Sequence, residues 1–182
     1  MAIVPLQFSR DRTAIEAHFA ALGPRDLRLR FGETVRPEML VAYLDSVEAR
    51  NEPMFGIVNH DLLIVAIGQF SASADGLEVG LSVLPRYRRR GLGTALLDRA
   101  ATYARARGIT ILVMHCLSEN APAVAMARRY GMSIVGSGAE TDGRLELRAG
   151  TSIDRETDAA YDQAGALDFT VKQWQLALRT RT

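Results

Sequence analysis

The apolar residues of this chain recur with two different periods. In some stretches they return every three or four positions, as on a helix with one buried face. In others they alternate or run together, as in strands. "IVPLQFS" (3–9) predicts a short strand. Ile15, His18, Phe19 and Leu22 share one face of a helix over 11–22, stopped by Gly23-Pro24. "RDLRLRF" (25–31) is too short to assign. Met39, Leu40, Tyr43, Leu44 and Val47 mark a second helical face over 36–49. From residue 54 the texture turns β-branched. "MFGIVNH" (54–60) and "LLIVAIGQFSA" (62–72) predict a hairpin around Asn59-His60-Asp61, and "LEVGLSVL" (77–84) a third strand.

A loop and helix follow over about 88–107, with Leu92, Leu96, Ala100 and Tyr103 on the buried side and Gly108 as the stop. "ITILVMHC" (109–116) predicts a strand. "NAPAVAMARRY" (120–130) predicts a helix capped by Asn120 and ended by Gly131. Two closing strands, "MSIVGSG" and "RLELRAG", are expected around a turn at Thr141-Asp142-Gly143. This order predicts an α/β (α+β) domain over 1–150, with a mixed sheet flanked by helices. Residues 151–182 read as a C-terminal extension. Val171, Trp174 and Leu178 stand at helical spacing there, so a helix from about 155 is expected, its stripe packed on the domain or on a second subunit. A substrate lid is the functional alternative.

Composition narrows the function. With 22 basic and 21 acidic residues the net charge is +1, too small a field for a nucleic-acid binder. One cysteine, Cys116, excludes an intrachain disulfide and suggests a cytoplasmic setting. The N-terminal apolar run is too short for a signal peptide, and no run approaches the ~20 residues of a membrane span, so no membrane partner is expected. His18, His60 and His115 lack metal-ligand spacing, so no metal is expected.

The densest chemistry lies in "RRRGLGTALL" (88–97). A helix starting near Gly91 offers unpaired N–H groups and the positive end of its dipole. Glycines let a ligand approach the backbone. Such a terminus suits a phosphate or pyrophosphate. It is not a Walker A loop, because no Gly-Lys-Ser/Thr follows. It is a poor dinucleotide fingerprint, because Leu96 stands at the third glycine position.

Arg88-x-x-Gly91-x-Gly93 resembles the pyrophosphate loop of the GCN5-related N-acetyltransferases. "LEVGLSVLPRYRRRGLG" is similar to that family's fourth strand and loop. "ITILVMHCLSENAPAVAMARRYGM" is similar to its fifth strand and following helix, with Asn120 and Ala123 in an Asn-x-x-Ala register and Gly131-Met132 in place of Gly-Phe. The likeness runs over roughly residues 26–149. It implies a mostly antiparallel sheet and acetyl-CoA as cosubstrate. It also implies transfer of the acetyl group to a primary amine by direct attack in a ternary complex. The acceptor would be a small molecule or a protein lysine or N-terminus. By this resemblance Arg88, Arg89, Arg90, Gly91, Leu92, Gly93 and Thr94 hold the pyrophosphate, Leu81, Ser82 and Val83 run beside the pantetheine arm, and Asn120 belongs to the cofactor site. A homodimer is common in that family. "DLRLRF" together with Glu78 also resembles bacterial protein-lysine acetyltransferases, although those tend to have Asn-x-x-Met where this chain has Ala123.

An alkyl ammonium, with a pKa of ~10.4, must lose a proton before it attacks. Glu78 is the candidate base, since alternation puts Glu78, Gly80 and Ser82 on one face of their strand. The solvent-facing alternative for Glu78 stays open. Where many family members carry a tyrosine acid, this chain has Ala127. Ser118, a water, or unaided departure of the thiolate would replace it. The same departure keeps a second class open, a non-catalytic acyl-CoA-binding sensor.

Overall fold

The computed structural model describes residues 2–136 and 138–179. The elements are β1 (Ile3–Leu6), α1 (Phe8–Ala20), α2 (Pro24–Phe31), α3 (Pro37–Ala49), β2 (Met54–Val58), β3 (Ile64–Ser73), β4 (Gly76–Val83), α4 (Leu92–Ala106), β5 (Ile111–Leu117), α5 (Ala121–Arg129), β6 (Ser133–Val135), β7 (Glu140–Glu146) and α6 (Ser152–Arg179). The strands form one sheet in the order β1-β2-β3-β4-β5-β7-β6. All neighbours are antiparallel except β4 and β5.

The undecided segment 25–31 is helix α2. Pro24 presets the dihedral of its first turn, Asp26 lies at the positive end of its dipole, and Arg28 and Arg30 lie at the negative end. Gly32 closes it in the left-handed region at φ 82°. The hairpin β2–β3 forms as its sequence predicts.

One expected turn is misplaced. Thr141, Asp142 and Gly143 lie inside β7, paired with Cys116, His115 and Met114 of β5. The positive backbone angles fall instead at Gly136 (φ 144°) and Gly138 (φ 86°). Gly143 is buried, and a Cβ there would meet Met132 Sδ at 3.0 Å, so it serves packing rather than turning.

Two cores form on opposite faces of the sheet. Ile15 and Phe19 of α1 and Leu44 and Val47 of α3 pack on Met54, Ile64 and Ile67. Leu96, Leu97 and Ala100 of α4 and Ala127 of α5 pack on Phe70, Leu77, Val79 and Leu112.

Helix α6 docks along α4 and β1, but not by the expected stripe. Val171 and Trp174 are 54% and 72% exposed, and Leu178 is exposed as well. The docked face is polar. Buried Arg99 of α4 pairs with Asp158 at 2.5 Å and Asp162 at 2.7 Å, and its guanidinium stacks 4.2 Å from the Phe55 ring centre. Asp154 takes Arg105 and Arg148, and Lys172 bonds Asp168 and the Val58 carbonyl. At Gly165 the helix touches the Ile3 carbonyl so closely that a Cβ would overlap it. Charge pairing and this close approach set the rotation of α6, overriding the apolar stripe. Among the described residues, no helix is long and apolar enough to cross a membrane.

Candidate active site

β4 and β5 pair over only two positions, Leu77 with Leu112 and Glu78 with Val113. Beyond Glu78 they part, while β4 stays paired with β3 as far as Val83. The Leu84 N–H bonds the Val65 carbonyl. Antiparallel alternation therefore commits the main chain of the even-numbered β4 residues to β3. The N–H and C=O groups of Leu81 and the Val83 N–H are turned towards the gap, while the Val83 carbonyl accepts from Arg88. Leaving such groups in a dry interior would be costly, so the gap must hold water or a ligand with peptide-like polarity.

A cavity of about 640 Å³ occupies this gap. Leu81, Ser82, Val83, Arg88, Arg89, Gly91, Leu92, Gly93, Thr94 and Asn120 all line it; of the expected binding residues only Arg90 does not. The connecting loop passes through a 3-10 turn, Pro85–Tyr87, and then takes positive φ at Arg89 (62°) and Gly91 (78°). Left-handed residues in such a turn aim successive N–H groups at one point, and the first turn of α4 adds its own unpaired donors. A Cβ at Gly93 would stand 2.7 Å from Met126 Sδ, so that glycine lets α4 and α5 close on each other.

The three arginines separate in role. Arg88 donates through Nε to the Val83 carbonyl (3.0 Å) and pairs with Asp26 of α2 (2.8 Å), clamping the rim. Arg89 is an exposed side chain on the cavity wall. Arg90 lies over the Tyr87 ring at 5.4 Å, outside the cavity.

A second cavity of about 370 Å³ shares Leu29, Arg30, Val79, Gly80, His115 and Cys116 with the first. The pairings Gln69–Gly80 and Ser71–Glu78 put these four residues on one face of the sheet. Glu78 is half-buried and lines this second cavity only. Arg30 reaches over Gly80, where its guanidinium occupies the space of a β-carbon, and bonds Tyr43 Oη and Gln69 Oε1, both at 3.3 Å. Gln69 donates to Glu52 Oε2 (2.5 Å), and Ser71 donates to Glu52 Oε1 (2.9 Å). Burial opposes the charge on Glu52, but hydrogen bonds from Arg50, Ser71 and Gln69 outweigh it and hold the carboxyl below its usual range. Burial pushes the Tyr43 hydroxyl up, against the pull of Arg30.

The Ser82 hydroxyl is engaged rather than free. Its Oγ lies 2.8 Å from His18 Nε2, and His18 Nδ1 lies 2.8 Å from the Ile64 carbonyl. The carbonyl only accepts, so Nδ1 carries the proton and Nε2 accepts from Ser82. Burial pulls His18 down to about 4, leaving it neutral.

Asn120 accepts from the Ala123 N–H (3.3 Å) and donates to the Leu29 carbonyl (3.3 Å), joining α5 to α2. Ala127 is buried, and Tyr130 donates to Asp98 of α4 at 2.9 Å, outside both cavities. Ser118 is exposed beyond β5 and lines neither cavity. His115 is exposed and sits 2.6 Å from Asp142. Burial raises the Cys116 thiol to about 11. Sequence reasoning missed Arg30, Tyr43, Glu52 and Gln69. They come from α2, α3, the loop between α3 and β2, and β3, and no local pattern marks them as neighbours.

The acetyltransferase (GNAT) family profile matches residues 24–132, and the chain belongs to that family. The streptothricin acetyltransferase of Streptomyces lavendulae is 35% identical over 77 residues, a stretch of 42% of this chain and 41% of that one. The chain therefore matches well under half the length of this relative. The fold is similar to the GNAT domain of Streptomyces lividans PAT (TM-score 0.69, 17% identity, 80% of this chain, 89% of that one). It is also similar to a putative acetyltransferase from Salmonella typhimurium with its cofactor acetyl-CoA (0.63, 20%, 83% and 96%). A third similar structure is a phosphinothricin acetyltransferase from Sinorhizobium meliloti in complex with acetyl-CoA (0.62, 14%, 83% and 90%).

Proposed function

We propose that the protein moves an acetyl group from acetyl-CoA to a primary amine by direct attack within a ternary complex. The observation that carries this reading is the meeting of two cavities at Arg30 and Gly80, beside the parted edge of β4. The two similar structures with bound acetyl-CoA support the choice of donor.

Acetyl-CoA supplies an acyl group on a thiol whose pKa of ~8.5 makes it a tolerable leaving group. The chain's own residues do the rest. The Arg89–Thr94 backbone binds the pyrophosphate, helped by the charges of Arg88 and Arg89. The gap-facing backbone of Leu81 and the Val83 N–H take the pantetheine arm as an added strand. The Leu81 N–H is the donor placed to polarise a carbonyl in the gap. Arg30 disfavours a second positive charge beside it, which favours the free amine. Glu78, on the acceptor side, takes the proton directly or through water.

The acceptor cavity, at about 370 Å³, suits a small amine-bearing molecule. Residues 1–150 form the acetyltransferase domain in this reading, with 151–182 as an extension docked on it. A cytoplasmic setting rests on the single cysteine.

A second reading, an acyl-CoA-binding sensor, is favoured by buried Ala127 and by the engagement of Tyr130 with Asp98. The deciding experiment is acetyl-CoA turnover, followed by thiol release, against a broad amine panel. Turnover on any amine supports the transferase. Binding by calorimetry with no turnover supports the sensor. No binding of acetyl-CoA or CoA overturns both.

A further inference from the structure

Helix α6 faces the domain with its charges and turns its apolar residues outward. The outward residues step alternately by four and three: Ile153, Thr157, Ala160, Ala164, Leu167, Val171 and Trp174, with Leu178 next in the series. That is the spacing of a coiled-coil seam, sustained here over three heptads and about 30 Å of helix. Each of the seam residues from Ile153 to Trp174 is exposed, with Ile153 at 67% and Leu167 at 69%.

We propose that this seam is covered by the same seam of a second copy of the chain, the two helices running antiparallel about a two-fold axis. Side-chain size sets the direction. The first half of the seam is small (Thr157, Ala160, Ala164) and the second half is large (Leu167, Val171, Trp174). With the axis between Ala164 and Leu167, Trp174 of one copy meets Thr157 of the other. Val171 then meets Ala160, and Leu167 meets Ala164. A parallel pair would set Trp174 against itself and leave voids between facing alanines, which close packing does not tolerate.

The flanking positions add no repulsion in this register. Tyr161 falls beside Asp168, Gln163 beside Thr170, and Glu156 beside Ala177. The area is also of the right size. The large side chains, with the alanines and Thr157 between them, present on the order of 700 Å² per copy, against the roughly 800 Å² each partner gives a standard interface. A seam joining like to like is isologous and closes at two copies.

The test is sedimentation of the full chain over a concentration series, beside Leu167→Glu and Val171→Glu. The wild type should reach a dimer. Both variants should be monomers with unchanged helicity and unchanged acetyl-CoA binding. A wild type that stays monomeric at its highest soluble concentration overturns the proposal, as does a dimer that both variants keep. Direction is read by disulfide trapping in a Cys116→Ala background, which does not depend on the charged variants folding. Ala164→Cys lies next to the axis and should cross-link to its own copy. Thr157→Cys, held about 25 Å from its counterpart in the antiparallel register, should not. Cross-linking of both, as in a parallel pair, or of neither, overturns the antiparallel register.

Discussion

The guanidinium of Arg30 stands where the β-carbon of residue 80 would be, and Gly80 is what allows it. A helix residue fifty positions upstream thereby reaches the junction of the two cavities. Gly80→Ala should push the guanidinium away from Gln69 and Tyr43. We expect kcat/KM for the acceptor to fall by about tenfold or more, equivalent to ~1.4 kcal/mol, with acetyl-CoA affinity nearly unchanged. Arg30→Met should act alike. Steady-state kinetics with each substrate varied in turn will show it; a loss confined to acetyl-CoA affinity would contradict the placement of Arg30 on the acceptor side.

Glu78 lines the smaller cavity, the proposed acceptor site, and not the larger one. Glu78→Gln should lower kcat by ~10²–10⁴-fold, the usual worth of a positioned base, without weakening CoA binding. An unchanged rate and pH profile would make Glu78 a solvent-facing strand residue.

Gly91 holds φ 78° with open space around its missing side chain. Gly91→Ala therefore costs backbone strain of about 1–2 kcal/mol rather than a clash. Gly91→Glu adds a negative charge at the helix start and should abolish CoA binding while the chain stays folded. Calorimetry and thermal melts separate the two effects.

His18 links pH to stability. An unfolded histidine titrates near 6.5, and in the folded protein His18 is held at about 4 by burial. Between these values the unfolded chain binds the extra proton, so stability should fall as pH drops from about 6.5 to 4, by roughly 3 kcal/mol in all. His18→Gln should remove this slope whatever it does to stability at neutral pH. Denaturant melts at stepped pH provide the measurement, and an equally steep slope in the variant would assign the effect elsewhere.

Asp158 neutralises Arg99, which is 1% exposed. Asp158→Ala leaves that cation to Asp162 alone and should cost about 3 kcal/mol, since removing one partner strands a buried charge. Proteolysis should then clip α6 before the rest of the chain. A melting temperature within a degree of wild type would show that α6 docks by other contacts.

Features that depend on neighbours along the chain are legible in the order of residues alone. Helical and alternating periods located most elements, and Asn120, Gly108 and Gly131 marked helix ends. The glycines and arginines of the Arg88–Gly93 loop are legible as a turn suited to an anion, because its positive backbone angles and helix-start amides arise within a few residues. The folded chain adds what depends on distant segments meeting. It placed the turn before β7 at Gly136 and Gly138, because Gly143 was needed against Met132. It hid the Ser82 hydroxyl under His18 and assembled Arg30, Tyr43, Glu52 and Gln69 around the smaller cavity. It also turned the apolar stripe of α6 outward. That stripe is legible in the sequence, but its direction follows from Arg99 pairing with Asp158 and Asp162 some sixty residues away. Ion pairs buried against a close-fitting Gly165 fix the rotation of a helix more firmly than a stripe that can be buried equally well by a second copy.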